Sequence, residues 1–455
     1  MIRRLLVAAA LLAGLALPSS PEEIALTLPE ARRAAVAAGL AGNAPVAEVL
    51  AAELLRQDPD DPDALLAMAT VHLAKSDWDA AYRFSRRAFR FNEDQTSKFH
   101  AARVASVAAL ADKRLMHSQF WLRRAGDLAP SDVHRLKIER QFAYLRAETP
   151  TRYRFSFSAS PSSNVNGGSD DAYNIIDGVP LVGILSGDAQ ALSGMVFQAS
   201  GNYSYRFRET ETSQTEVTAA LFVKRVVLSE EAKAQAPGYD PARLGVTALD
   251  LGLSHAMRVG KPGTLLRFDL GIRDYWQNKA RSHTAIVGGA MYSRMLGEKL
   301  RFTGRLSVED RYYTNGADGF VGSVNAGLTY TFGSGSRLSA VLGYSESETP
   351  MFILDSRSVV GKITYTLGKP IKSVELSAGI GASYTDYPDY TLFFIPVPGG
   401  RQDEGLFMDI DATFTSIEFA GFSPSMKLRR SITESNVSRF NTSEWAVSVG
   451  IESNF

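Results

Sequence analysis

Apolar residues recur three and four positions apart through the first third of the chain, and at every second position after Arg152. The first spacing gathers apolar side chains on one face of a helix. The second puts them on one face of a strand, with polar residues on the other. Between Leu28 and Ala147 the clearest helical segments are Ala47 to Gln57, Asp63 to Lys75, Trp78 to Phe91, Lys98 to Ala111, Leu115 to Leu128 and Val133 to Arg146. Asp61 before Pro62 and Ser131 before Asp132 are suited to cap the helices they precede. Leu54, Ala88 and Ala125 share one equivalent position, 34 and 37 residues apart, and Pro59 and Pro130 close the first and third units. Ala69, Ala81 and Ala88 supply small residues where paired helices touch. The spacing approaches the ~34-residue period of tetratricopeptide-like (TPR-like) repeats, with the bulky consensus residues poorly kept. Such a stack offers a concave surface for a peptide or protein; an irregular helical cap without a ligand is the plainer alternative.

The period-two region reads as a membrane barrel. In the last segment Trp445, Val447, Val449, Ile451 and Phe455 share one face, against Glu444, Ser448, Gly450, Glu452 and Asn454. Tyr153, Phe155 and Phe157 alternate with Arg154, Ser156 and Ser158, and Leu266, Phe268, Leu270 and Ile272 with Arg267, Asp269, Gly271 and Arg273. Segments of about ten residues, apolar outward and polar inward, are the mark of an outer-membrane β-barrel. Fourteen are expected, near 152–160, 193–206, 215–227, 245–257, 264–276, 283–295, 299–312, 320–332, 336–346, 356–367, 372–385, 405–416, 421–432 and 443–455. Tight turns bearing Gly or Pro (259–263, 297–298, 333–335, 368–371) fall on one side of this arrangement. All the long loops (161–192, 228–244, 386–404) fall on the other. Tyr205, Phe207, Tyr275, Trp276, Tyr312, Tyr313, Tyr330 and Phe332, near strand ends, are expected in interfacial girdles. A β-sandwich or propeller would not impose this one-sided distribution of loop lengths.

The ends and the composition sharpen this picture. Arg3 and Arg4 precede an unbroken apolar run, Leu5 to Leu17, followed by small residues including Ser19 and Ser20. That is the form of a secretory signal, and the run is too short to span a bilayer. The expected organisation is a signal over 1–20, a periplasmic TPR-like helical domain over 21–150 and an outer-membrane barrel over 151–455. The absence of cysteine excludes disulfides, thiolate metal sites and a lipid-bearing cysteine. Equal numbers of basic and acidic residues, 49 each, argue against a nucleic-acid partner. Phe455, closing a strand of matching phase, fits the signal that outer-membrane assembly machinery reads; a strand merely ending on an apolar residue is the alternative.

Candidate chemistry is sparse. His72, His100, His117, His134, His255 and His283 form no pair at metal-ligand spacing, and no nucleophile elbow or phosphate loop is present. No enzyme activity and no cofactor are expected. By strand phase Arg267, Asp269, Arg273, Arg301, Arg305, Glu309, Glu375, Asp409, Asp411, Lys427 and Arg429 should face the lumen, either as a structural charge ladder or as a polar wall along which a chain slides. The loop from Pro161 to Leu192 carries an apolar second half and is a candidate plug or gate. The apolar stretch Leu392 to Val397 is a candidate contact with a client or with lipid.

A signal, a short helical-repeat domain and a barrel of about fourteen strands, with Ser162-Ser163-Asn164-Val165-Asn166 after the first strand and Glu434-Ser435-Asn436-Val437 and Phe440 before the last, resemble the surface lipoprotein assembly modulator (Slam) family. Asn164, Asn166 and Asn436 are the matched landmarks. The resemblance implies a translocator without catalytic residues that carries lipoproteins, or small secreted proteins, across the outer membrane. Its helical domain would take the client from periplasmic chaperones and its barrel, seated in outer-membrane lipid, would provide the path. An exopolysaccharide export porin, which carries a longer repeat array, and a passive porin are the competing readings.

Overall fold

The computed structural model describes residues 5–6, 25–177, 179–392, 395–415, 417 and 422–453. Apart from Leu5 and Leu6, the expected signal lies outside them, as does Phe455. The chain divides into two compact units, Met1–Thr149 and Pro150–Phe455.

Among the described residues the first unit holds seven helices: α1 Leu28–Leu40, α2 Ala44–Gln57, α3 Pro62–Ala74, α4 Trp78–Phe91, α5 Gln95–Ala111, α6 Leu115–Asp127 and α7 Asp132–Glu148. Each packs on the next, and α1 also meets α3, as α3 meets α5. The interior is built largely of alanine, which lets helix axes approach closely. Leu54, Ala88 and Ala125 are fully buried on α2, α4 and α6, and Ala69 and Ala81 are buried with them. Larger side chains such as Leu65, Leu66 and Phe99 fill the remaining space, each contributing about 1.5–3 kcal/mol by burial. Asp61 caps α3 by accepting from the Asp63 and Ala64 amides. Ser131 makes no such cap; its hydroxyl is 2.8 Å from His134 Nδ1 instead. α1 is weakly written in the sequence because the residues it buries, Ala31 and Ala35, give little apolar contrast.

The second unit is a closed antiparallel barrel of fourteen strands. They are β1 Thr151–Ser162, β2 Gly194–Glu209, β3 Ser213–Leu228, β4 Val246–Arg258, β5 Leu265–Gln277, β6 Ala280–Met295 and β7 Leu300–Tyr313. The rest are β8 Asp318–Thr331, β9 Arg337–Glu348, β10 Ser356–Thr366, β11 Val374–Tyr387, β12 Arg401–Phe414, β13 Phe422–Ser435 and β14 Thr442–Ser453. Every expected segment is a strand, with neighbours in sequence paired and β14 returning to β1. β12 begins four residues earlier than the alternation indicates. Arg401 to Glu404 are polar on both faces, so the backbone ladder runs on beyond the apolar band.

Strand phase separates two surfaces. Leu270 is 63% exposed and Ile272 56%, alongside exposed Phe155, Leu251, Leu306, Leu342 and Leu406. This outward apolar belt on a closed barrel suits lipid and no aqueous environment, so the fold is that of an outer-membrane β-barrel. Arg273 on β5 reaches Glu309 on β7, passing over β6, and Lys362 on β10 reaches Asp409 on β12. Strands two apart are separated by nearly 10 Å, so such side chains converge only on the concave side. These residues therefore face the lumen. No helix among the described residues is long and apolar enough to cross a membrane.

The connections at the end where β1 begins are short. At the other end β5 and β6 are joined by Asn278-Lys279 alone, both at positive φ (49° and 62°), the geometry of a tight two-residue hairpin. That same end also carries the three long loops: L1, between β1 and β2; L3, between β3 and β4, with the short helix α8 Glu230–Gln235; and L6, between β11 and β12. Of the expected girdle aromatics, Tyr205, Phe207, Tyr312, Tyr330 and Phe332 are exposed outward. Tyr275 and Tyr313 are corrected: both turn inward and flank His283, with ring centroids 5.0 and 4.9 Å away. Adjacent residues on a strand cannot share a face, so of Tyr275-Trp276 and Tyr312-Tyr313 only one member each can meet lipid.

Candidate functional site

The lumen wall is polar and, for the most part, internally neutralised. Arg273 pairs with Asp250 at 2.6 Å and with Glu309 at 3.1 Å, and Glu309 also holds Arg311 at 3.0 Å. Arg267 pairs with Asp269 at 2.9 Å, Lys362 with Asp409 at 2.6 Å and Lys427 with Asp411 at 3.1 Å. Arg301 and Arg305 contact neutral atoms, Ser293 Oγ and Met291 Sδ, while Arg429 lies over the Phe407 ring. Glu375 sits near the short-turn end of β11, opposite Thr413. The wall of β14, β1 and β2 differs. Its inward residues are mostly small and neutral, with Ser156 bonded to Ser200, Ser160 to Ser448, and Ser162 donating to Glu444 at 2.6 Å. Side chains of this kind present many weak hydrogen-bonding groups to the lumen and few strong ones.

At the long-loop mouth, L1 packs against inward-phase residues and neighbouring loops. L1 leaves β1 at Ser162 and packs Val165 and Leu192 against Val226 and Leu228, which share the inward phase of β3, and against Ala232 and Ala236 of L3. The Gln235 side chain donates to the Gly187 and Ala191 carbonyls, tying L3 to L1. Farther along, L1 forms a hairpin, Tyr173–Ile176 with Val179–Ile184. Ile176 packs with Tyr390 and Val397 of L6 and with Val437, which is wholly buried in the connection to β14. L1 thus links L3 to L6 and the last connection, loops carried by the contiguous run of strands from β11 through β14 and β1 to β4. The described part of the Leu392 to Val397 stretch joins the same cluster. Leu392 and Val397 pack into this cluster rather than standing free, while Phe393 and Phe394 lie outside the described residues.

The three landmark asparagines brace these loops. Asn164 exchanges side-chain bonds with Gly168, donating to its carbonyl at 2.8 Å and accepting from its amide at 2.9 Å. Asn166 donates to the Asp188 and Gln190 carbonyls and accepts from the Leu192 amide at 2.9 Å, closing L1 at its base. Asn436 donates to the Gly400 carbonyl and accepts from the Gln402 amide, both at 2.8 Å, joining L6 to the β13–β14 connection. Its own carbonyl accepts from the Asp177 amide of L1. Amides suit this position because one side chain supplies donors and an acceptor together.

Beneath that joint lies a residue the sequence does not single out. Arg401 is buried, paired with Asp403 at 2.5 Å, and its guanidinium lies 3.4 Å from the Phe440 ring centroid and 4.0 Å from that of Tyr387. Arg401 belongs to no motif; only its inward phase, two positions before Asp403, could have drawn attention to it. Trp445, Val449 and Ile451 are exposed on the outward face of β14, with the Arg430 guanidinium over the Trp445 ring, and Val447 shares their phase. Among the described residues no cluster of three or more His, Asp or Glu could hold a metal ion.

No family model matches this chain, and no curated protein matches it. Several solved outer-membrane structures share part of its course. OmpT of Vibrio cholerae matches 67% of this chain and 99% of its own, at 8% identity and a TM-score of 0.33. OprB of Pseudomonas putida matches 69% and 96%, at 9% identity and 0.37. A protein described as a bacterial polysaccharide outer membrane secretin matches 67% and 98%, at 9% identity and 0.35. At these scores the likeness carries no inference about function.

Proposed function

We propose that this chain is an outer-membrane protein translocator that delivers lipoproteins, or small secreted proteins, to the cell surface. The helical unit engages the client in the periplasm, as TPR-like stacks engage peptides, and the barrel provides the path. The observation that carries this reading is the mouth. L1, L3 and L6 are folded onto lumen-facing residues and braced by Asn166 and Asn436, which suits a gated conduit better than a permanently open pore. The internally paired lumen wall supports it further, since an extended polypeptide passes a neutralised polar surface without binding it tightly.

The test is to remove the gene, restore it as a control, and compare the proteins that protease releases from intact cells. Loss of one or a few surface proteins, with their accumulation in the periplasm, supports the proposal. An unchanged protein surface together with loss of an exported polysaccharide would replace it with the sugar-export reading. Large stable conductance steps from the purified protein would favour a passive porin.

A further inference from the structure

The barrel is closed by a seam unlike its other strand pairs. Every other neighbouring pair keeps ten or more Cα partners. Among the described residues, β14 meets β1 as Ala446↔Ser162, then Val449↔Ala159, Gly450↔Ser158, Ile451↔Phe157 and Glu452↔Ser156. The two steps between, Val447 opposite Pro161 and Ser448 opposite Ser160, are skipped.

Proline explains the gap. The Ser163 amide donates to the Trp445 carbonyl and the Phe155 amide to Ser453 Oγ, so odd-numbered β1 residues direct their N–H groups at β14. Pro161 shares that phase and has no N–H to give, so the Val447 carbonyl loses its ladder partner. Hydroxyl groups do much of the remaining work. Ser160 bonds Ser448, Ser162 bonds Glu444, and Ser163 and Ser453 accept backbone amides. Those bonds that face the lumen can be exchanged for bonds to water at little net cost.

We propose that the β1–β14 seam opens sideways and is the exit by which a client's acyl chains travel in the bilayer while its polypeptide occupies the lumen. This rests on the translocator reading proposed above. A polypeptide threaded through a closed barrel cannot stay joined to acyl chains outside it, because the strand wall lies between them. Moving the acyl chains through the polar lumen would expose them to water, at about 0.8 kcal/mol per methylene. An opening at one strand pair removes both obstacles, and this pair is the one with a proline in its ladder.

The chain has no cysteine, so paired cysteines can lock the seam against a clean background. Ser160 and Ser448 are already side-chain partners, and S160C/S448C changes only their hydroxyls. The control is S307C/S323C, which crosslinks β7 to β8, where the hydroxyls are 2.6 Å apart. In cells, oxidation of S160C/S448C should cut surface delivery of the gene-dependent lipoproteins at least tenfold, and reductant should restore it. The oxidised control should stay within twofold of the parent. Full delivery by the locked seam would overturn the proposal. If removing the gene leaves every surface lipoprotein in place, the translocator reading has failed, and amide exchange of the full chain in phospholipid vesicles judges the seam alone. β14 amides should then exchange at least tenfold faster than those of β7 and β8, and P161A should slow them; equal protection overturns seam opening.

Discussion

Replacing Leu270 by arginine should destabilise the folded barrel far more than placing an arginine on the lumen side of another strand. Leu270 lies near the middle of the thirteen-residue strand β5, five residues from its start, and is 63% exposed on the outward face. At about 3.3 Å per residue and a tilt near 40°, five residues rise roughly 13 Å. An apolar band about 25 Å tall then places Leu270 close to the bilayer midplane. Arginine there costs about 2–4 kcal/mol. Asn325 sits at similar depth on β8, but on the inward face, where its Arg305 and Gly343 partners in the ladder also look into the lumen. N325R meets water and should cost less than about 1 kcal/mol, in the range of an ordinary exposed substitution. The assay is urea unfolding of the full chain in phospholipid vesicles, followed by tryptophan fluorescence. A difference below about 1 kcal/mol between the two variants, or the reverse order, would refute the assignment of the two faces.

Asp61 is buried, caps α3 and pairs with Arg32 at 2.6 Å, so D61A should cost about 2–3 kcal/mol, read as an earlier loss of helical ellipticity on heating. Removing the Asn166 braces with N166A should make L1 cleavable by added protease and raise the conductance of the purified barrel, while global unfolding shifts little. Burial, reinforced by Arg103 and His134, holds the His100 imidazole below its ordinary value of 6.5. The unfolded chain therefore binds the proton first, and stability falls as pH drops through 6.5 toward the lower folded value. Thermal melts of the helical unit's signal in the full chain should show that slope, and H100Q should flatten it.

The architecture was legible because both periodicities are local properties of the chain. Leu270 and Ile272 announce a lipid face through alternation alone, and Trp78 to Phe91 announces a helix through its strong segregation of apolar and charged residues. Legibility failed where the signal depends on contacts distant in sequence. Nothing near Arg401 indicates that Phe440 and Tyr387 will enclose it, and nothing near Val437 indicates that Ile176 of L1 will bury it. The sequence marked Tyr275 and Tyr313 as girdle residues because aromatics near strand ends favour the interface, but strand phase overrides that preference and sends them to His283. Pro161 was visible as the first residue of a loop; only the closing of the barrel turns it into a missing rung in the β1–β14 ladder.

The most direct measurement is photocrosslinking in living cells from single positions in the wall. A photoreactive side chain at Thr364, on the inward phase of β10, should capture a surface-destined protein in transit, identifiable by mass spectrometry. The same group at Leu270, on the lipid face, should not. Capture of one client chain from the lumen position and none from the outer face is the result the translocator account requires. A lumen position that yields no protein adduct, in cells actively exporting surface proteins, would contradict it.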